Sequence, residues 1–290
     1  MQGFGLGRPW RAHWVVAWGI VCALLLSAGP PAQAEEAIDP TALSDAYRLE
    51  ALFEAIAHEG RDTADAIGAD ILEGQGGAVW ARAIDDIYDP ARLHERFLGL
   101  LVRDLVGREH AYAAAMAFAR SPAGARVIDA EVDTRAELRV PSAEREMQAR
   151  LDQARAADSP DLAFVRERIR VNNLIEQNVS LGLNGSLAYF RGFMSAAPSG
   201  MGLNGEHMQA DVWAQEDDIR QETVDWLEGY FLLSYATLNG AERAELMAHA
   251  ASTEGDAFNT AMFRAYEVTF TEVSQALGVA VGRVLQMRDL

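Results

Sequence analysis

The stretch DPARLHERFLGLLVRDLVG (residues 89–107) spells out a complete helix. Asp89 offers a carboxylate to the free backbone N–H groups of a first turn, and Pro90 fills the first helical position, where its missing N–H is not needed. Leu93, Phe97, Leu100, Leu101 and Leu105 then recur at helical spacing and form one apolar stripe. Gly107 follows, a residue that tolerates the left-handed conformation in which helices often end. The same grammar extends in both directions. Asp39-Pro40, Ser121-Pro122 and Ser159-Pro160 repeat the start signal. Leu49, Leu52, Phe53 and Ile56 form another stripe; so do Val165 with Ile169, and Tyr266, Phe270, Val273 and Leu277. Gly60, Asn184-Gly185, Asn204-Gly205 and Asn239-Gly240 read as further helix ends. Alternating β-branched runs do not occur. The sequence predicts an all-α chain.

It also predicts that the chain is built twice. VWARAIDDI (79–87) is matched by VWAQEDDI (212–219) with one deletion, roughly 130 residues further on. Met116-Ala117-Phe118-Ala119 is matched by Met247-Ala248-His249-Ala250, each followed by Ser-x-x-Gly. RLEALFEAI (48–56) pairs more weakly with RVNNLIEQN (170–178). The expected organisation is a signal peptide over 1–34, a helical repeat over 35–140, a polar connecting helix over 141–159 and a second helical repeat over 160–290. The two repeats together form a multi-helix bundle. In the connecting helix, Glu146 and Arg150 stand four apart, as an exposed ion pair would. At the repeated Ser-x-x-Gly, Ser121 reads as a cap, Pro122 as the first helical residue and Gly124 as the small residue of a close helix approach. Ser252 and Gly255 hold the same places, with Thr253 replacing the proline.

FARSPAGARV, where an Ala-rich helix runs into a Ser-Pro-x-Gly turn, resembles the exported bacterial proteins grouped as domain of unknown function 2059. The likeness is best over residues 97–135. The second repeat is a diverged version, with His249 for Phe118 and Thr253 for Pro122. The resemblance implies a helical, exported protein, here as a tandem duplication, and it brings no catalytic residues with it.

The N-terminal segment carries its own address. Arg8 and Arg11 precede an uncharged apolar run over 14–28; Gly29-Pro30-Pro31 breaks it, and Ala32-Gln33-Ala34 supplies a small-x-small site before Glu35. That is the layout of a cleaved secretory signal, and the run is shorter than the ~20 residues a membrane span needs. The expected location is periplasmic or secreted, with no membrane span left after cleavage. The single cysteine, Cys22, leaves with the signal. The chain holds 43 acids against 25 bases, and every base is arginine. Such an acidic surface repels nucleic acid and anionic lipid, so neither is an expected partner.

Composition also removes chemistry. No cysteine beyond Cys22 excludes thiol catalysis and thiolate metal sites, and no lysine excludes a Walker A loop, a Schiff base and a Ser-x-x-Lys nucleophile. Neither G-x-S-x-G nor H-E-x-x-H occurs. Glu54 with His58, and Glu245 with His249, stand four apart and read as intrahelical pairs rather than metal ligands. Asp85-Asp86 and Glu216-Asp217-Asp218 read as solvated helix faces. One segment breaks the repeat symmetry: FRGFMSAAPSGMGLNGEHM (190–208) gathers Phe190, Phe193, Met194, Met201, His207 and Met208 around a Gly/Pro/Ser-rich centre. Packing against the flanking helices accounts for such residues, and so does adaptable contact with an apolar partner. The functional expectation is a non-enzymatic module that binds another envelope protein or peptide. The alternative is a periplasmic Cu(I)-binding protein using Met194, Met201, His207 and Met208, since thioether and imidazole suit that soft ion.

Overall fold

The computed structural model describes residues 37–74, 76–198, 209–210 and 212–288. They form α1 (Pro40–Ala46), α2 (Leu49–Asp70), α3 (Gly77–Ile87), α4 (Pro90–Leu105), α5 (Glu109–Ala119) and α6 (Pro122–Glu137). Then follow α7 (Pro141–Ala156), α8 (Pro160–Val171), α9 (Leu174–Ala196), α10 (Glu216–Ser234), α11 (Gly240–Ala250) and α12 (Thr253–Arg288). A 3-10 turn, Tyr235–Thr237, joins α10 to the turn before α11. No strand occurs among the described residues; the fold is all-α.

The Asx/Ser-Pro starts work as their chemistry dictates. Asp39 accepts from the N–H groups of Thr41 and Ala42 at 3.0 and 3.1 Å, and Asp89 accepts from that of Arg92 at 2.9 Å. Ser121 Oγ accepts from Gly124 N at 2.9 Å, and Ser159 Oγ from Asp161 N at 3.2 Å. Ser252 Oγ accepts from Gly255 N at 3.0 Å without any proline.

The expected helix ends fare less well. Gly107 has φ +81° just beyond α4, as a stop should. Gly60, however, lies inside α2, and a Cβ there would sit 2.1 Å from the Tyr88 ring; the glycine makes room for a tyrosine. Asn184 and Gly185 lie inside α9, where Asn184 donates to Glu267 at 2.9 Å and Gly185 is buried. Asn239 opens α11 instead of closing a helix: it forms a capping box with Glu242. Asn204-Gly205 falls outside the described residues. The polar α7 carries the Glu146–Arg150 pair at 2.7 Å, yet it also buries Met147, Leu151 and Ala154 and packs on α10.

The centre of the fold is the crossing of α9 and α12, the most extensive helix contact in the molecule. A Cβ on Gly192 would lie 2.1 Å from the Gln275 carbonyl, and one on Gly278 would lie 2.0 Å from that of Tyr189. The two backbones therefore touch. Around this axis the packing is crossed. α2 lies on α4 and α6, while α9 lies on α10 and α12. But α4 and α5 pack on α12, whereas α10 and α11 pack on α6. Phe118 of α5 and His249 of α11 stack on one another, with ring centroids 4.4 Å apart. Both long helices α2 and α9 begin after a non-glycine residue in the left-handed region, Arg48 (φ 50°) and Asn173 (φ 51°). These two residues are three positions out of the register in which 48–56 and 170–178 pair by sequence.

Candidate functional site

The Asp89-Pro90 corner sets α3 and α4 end to end, and together they face one side of α12. α3 turns Trp80 and Ile84 inward, which leaves Val79, Ala83 and Ile87 on the side toward α12. α12 answers with Val273, Ala276, Val279 and Val284. Between the walls runs a groove made of two adjoining cavities of about 680 and about 610 Å³, which share Asp86, Ile87, Glu272 and Ala276. From Thr269 to Val284 it follows α12 for ~22 Å, at 1.5 Å per residue. The half beside α3 is mostly apolar, the half beside α4 is of mixed polarity, and Val79 is 45% exposed on the rim.

Charged groups edge the groove. Arg96 Nε bridges the walls to Glu272 at 2.8 Å. Arg82 donates to the Ala78 carbonyl at 3.1 Å, and Arg92 to the Asp86 carbonyl at 3.3 Å, and among the described residues neither guanidinium pairs with a carboxylate. Arg283 stands on the opposite wall. The lining residues include no histidine, serine or cysteine, and the Thr269 hydroxyl is already given to the Ala265 carbonyl at 2.8 Å. The ionisable lining is made of arginines and the carboxylates Asp86, Glu95 and Glu272.

Gly99 lies in the middle of α4, exposed on the groove wall, and a Cβ there would meet nothing within 4 Å. Gly60, Gly68, Gly124, Gly192 and Gly278 each face a group that a side chain would strike. A glycine in a helix interior costs about 0.5–1 kcal/mol relative to alanine. At Gly99 no internal packing answers that cost.

A second polar locus is fully enclosed. Glu131 on α6 is 2% exposed; the Tyr235 hydroxyl donates to its Oε1, and Tyr230 donates to its backbone carbonyl at 2.6 Å. Burial pushes its carboxyl up to about 7, against the opposing pull of Arg168 and the Tyr235 hydrogen bond. Arg168 is buried beside it, donates to Asn172 and lies over the Phe231 ring. His249 is 0% exposed, and neither ring nitrogen has a hydrogen-bond partner. Burial, and then the Arg168 charge, hold its imidazole far below the usual range, so it is neutral. These buried groups join α6, α8, α10 and α11 from within.

No protein-family model matches this chain, and no curated protein or solved structure is similar to it.

Of the residues singled out by sequence, Phe193 is buried in the core, Phe190 is half-buried against it, and Met194 is 40% exposed near the end of α9. Met201, His207 and Met208 lie outside the described residues. Neither expected Glu–His pair forms. His58 turns forward to Asp62 at 3.5 Å, and Glu245 takes the Ser121 hydroxyl at 2.6 Å while His249 packs on Phe118. In both cases a neighbour one turn on, or across the helix interface, competes better than the residue one turn back. His94 meets Ser44 Oγ at 2.8 Å, and His110 is exposed. Asp85, Asp86, Asp217 and Asp218 are exposed, as solvated faces should be. The paired VW motifs are not equivalent: Trp80 is buried beside exposed Val79, whereas Val212 is buried and Trp213 is 51% exposed. A turn at 214–215 interrupts the helix after Trp213, whereas α3 runs on unbroken past Trp80. Among the described residues no cluster of three His, Cys, Asp or Glu stands ready for a metal, and no helix is long and apolar enough to cross a membrane.

Sequence reasoning missed the groove. Its one sequence signal is Gly99, an unneeded glycine inside the best-marked helix of the chain.

Proposed function

We propose that this chain is an exported, internally duplicated helical module that binds a segment of another envelope protein or a peptide in the groove between α3, α4 and α12, without chemistry of its own. The observation that carries the reading is the groove itself: ~22 Å long, apolar over the half between α3 and the end of α12, and edged by charge. The leader-like residues 1–34 and the likeness of FARSPAGARV to domain of unknown function 2059 proteins support export. The crossed packing, in which α10 and α11 do to α6 what α4 and α5 do to α12, supports duplication.

Gly99→Leu is the test, because the fold leaves that position empty. Tagged wild-type and variant proteins are cross-linked in their own cells and purified. The variant is expected to keep its helicity and melting temperature and to lose the partner that wild type captures. Capture of the same partner by both would remove the groove from the reading.

A further inference from the structure

Resting on the groove as the binding site, we infer that its occupant is an amphipathic α-helix with acidic residues along the edges of its apolar stripe. The groove's walls are helices, whose backbone N–H and C=O groups are already paired internally. An extended peptide would find no ladder there and would leave its own backbone groups unsatisfied over the apolar half. A helix brings its hydrogen bonds with it and offers a stripe at i, i+3, i+4 and i+7. The length agrees, since ~22 Å is about four turns. Gly99 and Ala276 line the same cavity from opposite walls, and small residues there let a third helix come close.

The charges decide the chemistry of the edges. The groove is lined by Arg82, Arg92, Arg96 and Arg283 against Asp86, Glu95 and Glu272. Arg96 and Glu272 neutralise each other. Among the described residues, no carboxylate is bound to Arg82 or Arg283, on opposite walls of the apolar half, or to Arg92 at the α4 end. In a chain of formal charge −18, this groove carries one more arginine than acid among its lining residues. A helix with glutamate or aspartate on both flanks would meet these guanidinium groups as it seats.

The overall charge makes the test demanding. A protein this acidic attracts cationic peptides non-specifically, so a preference for an acidic peptide must come from a local site. Two synthetic 18-residue helical peptides share one leucine stripe and differ only in carrying glutamate or lysine along its edges. Their binding to the full chain is measured by fluorescence anisotropy at low and physiological salt. The glutamate peptide is expected to bind at least ten-fold tighter than the lysine peptide. The double charge reversal R82E/R283E is expected to invert that order, and Gly99→Leu to weaken both peptides at least ten-fold. Should the lysine peptide bind as well or better in wild type, while Gly99→Leu still blocks it, the acidic helix is wrong and the groove stands. Should neither peptide bind, or Gly99→Leu change nothing, the groove fails with it.

Discussion

Glu131 and His249 make opposite demands on pH, and the fold holds both in one interior. In the unfolded chain the carboxyl titrates near 4.5 and the imidazole near 6.5. In the folded protein burial raises the first to about 7 and drives the second far down. Between pH 4.5 and 6.5 the unfolded chain therefore carries its proton on histidine and the folded chain carries one on glutamate. The counts are equal, so this pair contributes almost no pH dependence to stability there. Remove either partner and the cancellation ends. In Glu131→Gln only the histidine remains: the unfolded state binds the extra proton, and stability rises with pH by ~1.4 kcal/mol per unit. In His249→Phe only the glutamate remains: the folded state binds the extra proton, and stability falls with pH by the same slope. Across these two units each variant should diverge from wild type by about 2 kcal/mol, in opposite directions, since the unfolded groups are half-titrated at the ends of the window. Urea unfolding followed by far-UV circular dichroism at pH 4.5, 5.5 and 6.5 reads this directly, and differences from wild type cancel every other titrating group. Curves for both variants that run parallel to wild type would refute the reasoning. Phenylalanine at 249 also recreates the residue found at Phe118, so the stack survives the change.

Gly278→Ala should lower stability by about 3 kcal/mol or more, because its Cβ would lie 2.0 Å from the Tyr189 carbonyl; Gly99→Ala in the same thermal melts should raise it by about 0.5–1 kcal/mol. Asn173→Val should cost about 1–2 kcal/mol through its left-handed backbone, while Asn173→Gly stays close to wild type. Ser121→Ala removes a helix cap and a partner of Glu245, and chemical denaturation should register a loss of about 1–2 kcal/mol.

Local chemistry was legible in this sequence and long-range chemistry was not. Asp39, Asp89, Ser121 and Ser159 announce their helices because a cap acts within three residues of itself. The stripes of α2, α4 and α12 announce their buried faces for the same reason. Gly60 and Asn239 mislead because one residue type serves several positions: Gly60 makes room for Tyr88, and Asn239 caps a beginning. Glu131 and Arg168 look like solvated helix charges until α6, α8 and α10 close over them. The groove needs α12 to return against α3 and α4 from far along the chain, and no local pattern encodes that return.

α12 touches α3, α4, α5, α9 and α11, and the ribosome makes it after all of them. Until it emerges, α9 lacks the backbone it crosses, α4 lacks half of its apolar contact, and the groove has one wall. The α9–α12 part of the core therefore closes only when the last described helix is made, through contacts between residues far apart in the chain. Until then, the faces of α3, α4, α5 and α9 that α12 covers stay exposed to water.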